Sequence, residues 1–185
     1  MNEEIEIQVI VKNPEEAERK LRDSARFISA KDQKDEYFVP QHKDFFEKDP
    51  PQEYLRVRYQ DGKNEIGYHY LHFGEDNEKS KTDEYETEIK DPEMMSIILK
   101  KLDMKHVLTV TKHRKTFDYK DFEIVIDIIE ELGTFMEIEA KKMFGTPADT
   151  IKKCKEVLDE LDIEWELPKT KGYPVMIWKS KKILK

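Results

Sequence analysis

The chain is predicted to be an α+β protein built on a large, mostly antiparallel sheet. Three observations carry this. Apolar and polar residues alternate with period two over many segments, several of those segments are joined by short turns, and amphipathic helical patterns enter only between groups of strands.

Taken in order, residues 3–12 alternate as a strand, with Ile5, Ile7 and Val9 on one face and Glu4, Glu6 and Gln8 on the other. Asn13, Pro14 and Glu16 supply a cap, a first-turn proline and a capping-box acid for a helix that runs to about residue 25. Residues 54–60 and 64–73 are strands around Asp61-Gly62, a strong hairpin signal. A strand over 83–90 stops at Asp91-Pro92, which starts a helix carrying Met95, Ile98, Leu99 and Leu102 at helical spacing. Residues 106–119, 122–130 and 134–142 are three further strands, turned at Lys120-Asp121 and Leu132-Gly133. Thr146 and Pro147 open a helix with Ile151, Cys154, Val157, Leu158 and Leu161 on one stripe, and a last short helix is expected over 172–182 around Tyr173 and Trp178.

A length of 185 residues suits one domain with a sizeable core, expected over 1–185. With 40% charged residues and a net charge of −8, the balance argues against a nucleic-acid binder, whose footprint would be basic. No run approaches the length of a membrane span, and the acidic N-terminus lacks the features of a signal peptide, so a soluble, cytoplasmic protein is expected. The single Cys154 cannot form an internal disulfide and lies on an apolar stripe, which reads as core packing. No zinc-type Cys/His spacing, glycine-rich phosphate loop or Ser-His-Asp order stands out. His42, His72, His106 and His113 read as surface or packing residues.

Charged pairs at spacing two recur from strand to strand: Glu4 and Glu6, Arg56 and Arg58, Glu86 and Glu88, Lys112 and Arg114, Glu137 and Glu139. Each pair sits between apolar neighbours, so these strands have a dry face and a charged face. A solvated sheet surface would explain that. Like charges two apart on a strand, however, stand only ~7 Å from each other and repel unless the opposite sign lies between or across from them. A closed or strongly curved sheet with both signs pointing inward relieves the repulsion and creates a site. Arg and Lys hold phosphate oxygens, and clustered carboxylates bind Mg²⁺ or Mn²⁺, so the guest such an interior suits is a polyphosphate with its metal.

Five segments occur in a recognisable order: "EIEIQV" at 4–9, "DEYFVPQHKDF" at 35–45, "EYLRVR" at 53–58, "VTKHRKTF" at 110–117 and "IDIIEELGTFMEIEA" at 126–140. Together they resemble the signature of the CYTH superfamily, the triphosphate tunnel metalloenzymes, and the second and fifth are most similar to its class IV adenylyl cyclase branch. The resemblance implies an eight-stranded antiparallel barrel or tunnel with helices outside, a triphosphate substrate and divalent Mg²⁺ or Mn²⁺. It implies metal ligands at Glu4, Glu6, Asp127, Glu137 and Glu139, and phosphate-binding side chains at Arg56, Arg58, Lys112 and Arg114. Glu86 and Glu88 match another acidic pair, whose role is open between metal binding and charge balance.

Three positions depart from the family pattern. Gln8 stands where the first motif ends in lysine, and an amide is neutral and cannot accept a proton at ordinary pH. His69 replaces another lysine and is able to donate to phosphate or to act as a base near neutral pH. Asp83 stands where an arginine is expected. Gln8 and His69 are therefore the two positions of catalytic interest. The expected activity is conversion of ATP to cyclic AMP and pyrophosphate. Hydrolysis of thiamine triphosphate or inorganic triphosphate, and binding of a phosphorylated ligand without turnover, stand as alternatives. The expected partner is a nucleoside or other triphosphate, not a nucleic acid or a membrane, with a homodimer left open.

Overall fold

In the computed structural model, backbone is described for residues 3–73, 79–170 and 172–183, and side chains for 5–73, 81–170 and 172–181. The elements in chain order are β1 (Glu3–Glu4), β2 (Glu6–Val11), α1 (Pro14–Ser24), β3 (Arg26–Pro40), β4 (Glu53–Gln60), β5 (Glu65–Phe73), β6 (Lys79–Glu88), α2 (Pro92–Lys101), β7 (Met104–Tyr119), β8 (Phe122–Ile129), β9 (Gly133–Ala140), α3 (Pro147–Glu160), β10 (Trp165–Glu166) and α4 (Tyr173–Ile183). The α+β class with a mostly antiparallel sheet and four helices is as expected. The strands hydrogen-bond in the order β1-β6-β5-β4-β3-β7-β8-β9-β2-β10. That order has two ends and ten strands among the described residues, where the resemblance implied a closed set of eight. The count rises because the N-terminal strand is interrupted at Ile5 and because Trp165–Glu166 adds a short strand beside β2.

By its internal contacts the chain divides into two units, one of Glu4–Lys31 and Lys112–Lys171, the other of Met1–Glu3, Asp32–Thr111 and Gly172–Lys185. In the first, β2, β8 and β9 are antiparallel, with Ile7 opposite Ile138 and Ile124 opposite Ile138 from the other side. Alternation turns Ile7, Val9, Val11, Ile124, Ile126, Met136 and Ile138 to a core that Ala17 and Leu21 of α1 and Cys154, Val157 and Leu158 of α3 complete. Burial pushes the Cys154 thiol up to about 12, which leaves it an inert packing group. Thr146 and Asp149 close the α3 capping box reciprocally. Thr146→Ala is expected to cost about 1 kcal/mol. Denaturant unfolding checks this, and an unchanged midpoint would show that the cap contributes nothing.

In the second unit β4, β5 and β6 form an antiparallel meander, and Gly62 of the β4–β5 turn has the positive φ, 80°, that the Asp-Gly signal required. Its smaller core is Phe38, Val57 and Leu99, with Met95 and Tyr59 packed against it. The stripe expected on α2 is only half realised, since Ile98 is 43% exposed and Leu102 69% exposed. The helix instead buries Ser96, whose hydroxyl donates to Glu36 at 2.8 Å and meets the Tyr59 hydroxyl at 2.8 Å. Phe46 packs on Trp178 of α4.

Candidate functional site

Each unit carries its own network of opposed charges on the polar face of its strands. In the first unit, register places Arg114 directly across from Asp127 and Gln8 directly across from Glu137. Asp127, fully buried, accepts from Arg114 Nε at 2.7 Å and Nη2 at 2.5 Å, and from Lys112 Nζ at 3.1 Å. Burial favours the neutral acid, but the Arg114 and Lys112 charges outweigh it and hold Asp127 down at about 2. Glu137 accepts from Arg114 Nη2 at 2.5 Å and from the Gln8 amide at 3.0 Å. Gln8 thus keeps a hydrogen bond to the closing acidic motif and contributes no charge to it. Glu6 faces Glu139 directly across the β2–β9 ladder. Asp127, expected as a metal ligand, is instead engaged with Lys112 and Arg114.

In the other unit the two arginines of β4 are held by carboxylates from neighbouring strands. Arg58 makes a two-pronged contact with Asp35, Nε and Nη2 each at 2.8 Å, and reaches Glu65 at 3.4 Å. Arg56 donates through Nη2 to Glu65 at 3.0 Å and Glu86 at 2.6 Å and lies 3.8 Å from Asp35. Neither Asp35 nor Glu65 was singled out from the sequence, although Asp35 opens one of the quoted segments. His69 of β5 joins the same network, with Nε2 2.9 Å from Glu86 and Nδ1 3.3 Å from Glu84. Burial opposes the charged imidazole, yet the hydrogen bonds to Glu84 and Glu86 hold His69 above its ordinary value. The reciprocal contact with His69, aided by Arg56, pulls Glu86 down to about 2. Asp83, the reversed position, meets His72 at 2.6 Å and Lys81 at 3.4 Å, so its charge is balanced locally.

The predicted residues therefore fall into two groups. Gln8, Lys112, Arg114, Asp127 and Glu137 are joined by direct contacts in one unit, with Glu6 and Glu139 on the adjoining ladder, and Arg56, Arg58, Glu86 and His69 are joined in the other. Glu4 has its backbone in β1, but its side chain lies outside the described residues. Glu84 was missed from sequence, and its signal was its place two residues before Glu86 on the same strand face.

The CYTH domain family matches residues 2–164. A protein of Methanocaldococcus jannaschii named a putative adenylate cyclase is 35% identical over 164 residues, which cover 86% of this chain and 90% of that protein. A solved structure of a Pyrococcus horikoshii protein superposes with a TM-score of 0.75 at 27% identity, covering 95% of this chain and 99% of the other. A putative adenylyl cyclase from Hippeastrum, described as having a dominant triphosphatase activity, superposes with a TM-score of 0.69 at 18% identity over 96% of each chain, a likeness of fold. This chain belongs to the CYTH domain family. No helix among the described residues is long and apolar enough to cross a membrane.

Proposed function

We propose that this protein is a divalent-metal-dependent enzyme that converts ATP to cyclic AMP and pyrophosphate. The observation that carries the reading is the Lys112–Arg114 pair, held in place by Asp127 and Glu137 before any ligand arrives. Preorganised cations of this kind stabilise charge as it develops on transferring phosphoryl groups, with no reorganisation during the reaction. Arg56 and Arg58, fixed by Asp35 and Glu65, offer the same service to phosphate oxygens in their own unit. Mg²⁺ or Mn²⁺ held through Glu6, Glu137 and Glu139, with Glu4 as a further ligand, would neutralise phosphate charge. In the cyclase reaction the ribose 3′-hydroxyl attacks the α-phosphorus, the bond to the bridging oxygen breaks and pyrophosphate departs. Gln8 positions Glu137 and, as a neutral amide, takes up no proton.

Hydrolysis at the terminal phosphorus is the second reading, favoured by the triphosphatase activity described for the Hippeastrum protein of the same fold. Purified protein incubated with Mg²⁺ or Mn²⁺ and ATP, thiamine triphosphate or inorganic triphosphate separates the two. Cyclic AMP with pyrophosphate supports the first, orthophosphate without cyclic AMP the second, and neither product from any substrate overturns both. Chelation with EDTA is expected to abolish turnover and readdition of the ion to restore it. Turnover that survives chelation would remove the metal from the reading.

A further inference from the structure

Sheet register brings together three side chains that no step above requires as a set. His69 pairs directly with Glu84, and Gly67, two residues earlier on β5, pairs directly with Glu86. The imidazole and both carboxylates therefore project from one face, and one ligand atom from each lies within 4.8 Å of the others. Ions such as Zn²⁺, with bonds of about 2.0–2.2 Å, hold tetrahedral ligand atoms about 3.3–3.6 Å apart, so modest side-chain adjustment closes the set. Gly67 supplies the room. A Cβ there would stand 3.0 Å from His69 Nε2 and 3.2 Å from Glu86 Oε1, and a glycine inside a strand otherwise weakens it.

Charge points the same way. Asp35, Glu65, Glu84 and Glu86 set four carboxylates against the guanidiniums of Arg56 and Arg58, while Lys63 reaches Glu65 at 3.6 Å from its half-exposed position. With the imidazole neutral, as a metal ligand must be, four carboxylates face three side-chain cations, an excess of one negative charge that attracts a cation. One nitrogen and two carboxylate oxygens form a borderline donor set, suited to first-row transition ions more than to Mg²⁺ or Ca²⁺, which prefer all-oxygen surroundings. Three protein ligands would leave a coordination position for water or a substrate oxygen.

We infer that His69, Glu84 and Glu86 form a binding site for a first-row divalent transition-metal ion, with Gly67 opening the space for it. The ligand set shares no residue with the Glu6–Glu139 pair and does not depend on the triphosphate reading.

Metal-stripped full-length protein titrated with Co²⁺, followed by visible absorption and by Zn²⁺ competition, tests this directly. One equivalent is expected to bind at this site, with affinity lowered on the order of 100-fold by His69→Ala and by at least ~10-fold by Glu84→Gln, both larger than or comparable to losses from outer-shell changes. Glu6→Gln is expected to leave this binding unchanged. Imidazole resonances of the wild-type protein under Zn²⁺ provide a readout that needs no variant. His69 signals should move while those of His42, His72, His106 and His113 stay. Failure of Co²⁺ and Zn²⁺ to bind, binding undiminished in His69→Ala, or movement centred on another histidine would each overturn the inference. Activity assays with Mg²⁺ address the triphosphate reading separately, so the two fail independently.

Discussion

Asp127→Asn is expected to destabilise the protein by about 3–5 kcal/mol, the range for removing one partner of a buried ion pair. The residue is fully buried and pairs with both Lys112 and Arg114, so an isosteric amide removes the buried counter-charge that the two cations share. Asparagine also turns an acceptor oxygen into an NH₂ donor facing donors. Chemical denaturation of wild type and variant measures the loss, and a change below 1 kcal/mol would show that the pair is compensated elsewhere. Combining Asp127→Asn with Arg114→Ala should cost less than the sum of the two, because each single change strands the charge that the other removes. The acid limb of stability carries the same information. The folded carboxyl sits at about 2, below its unfolded value, so its contribution is complete above about pH 4–5 and is lost as pH falls toward 2. Asp127→Asn should flatten that limb.

Arg114→Ala is expected to lower kcat/KM for the triphosphate by about 10²–10³, the cost of removing one preorganised group that stabilises transition-state charge. Arg114 is the better target than Lys112 because its fork bridges Asp127 and Glu137 and is partly open to solvent, whereas Lys112 is fully enclosed. Arg114→Lys keeps the charge and loses the two-pronged geometry, so an intermediate rate would divide the effect between charge and orientation. Steady-state rates taken below the unfolding transition decide the matter. A wild-type rate in Arg114→Ala would end the assignment of a phosphate-handling role to this side chain.

The parts of this fold legible in the sequence are those whose buried face is apolar. Ile7, Val9, Ile124, Ile126, Met136 and Ile138 alternate with polar neighbours, and Cys154, Val157 and Leu158 follow helical spacing, so period alone located β2, β8, β9 and α3. β3 escaped because its inward positions include Gln33 and Asp35, ahead of Tyr37, and a strand that buries polar groups shows no hydrophobic alternation. On α2 the buried side includes Ser96, whose role is to join Glu36 and Tyr59, so counting apolar residues rotated the predicted face.

The amino-acid sequence alone determined which strands carry charge, of which sign and on which face, because side-chain direction along a strand follows from local geometry. Only the tertiary structure decided the pairings: that Asp127 serves Lys112 and Arg114, that Asp35 and Glu65 hold the β4 arginines, and that Glu84 meets His69. Those contacts depend on register between strands, which is set by packing and turn closure across the sheet, and a shift of one residue would have turned each pair to opposite faces.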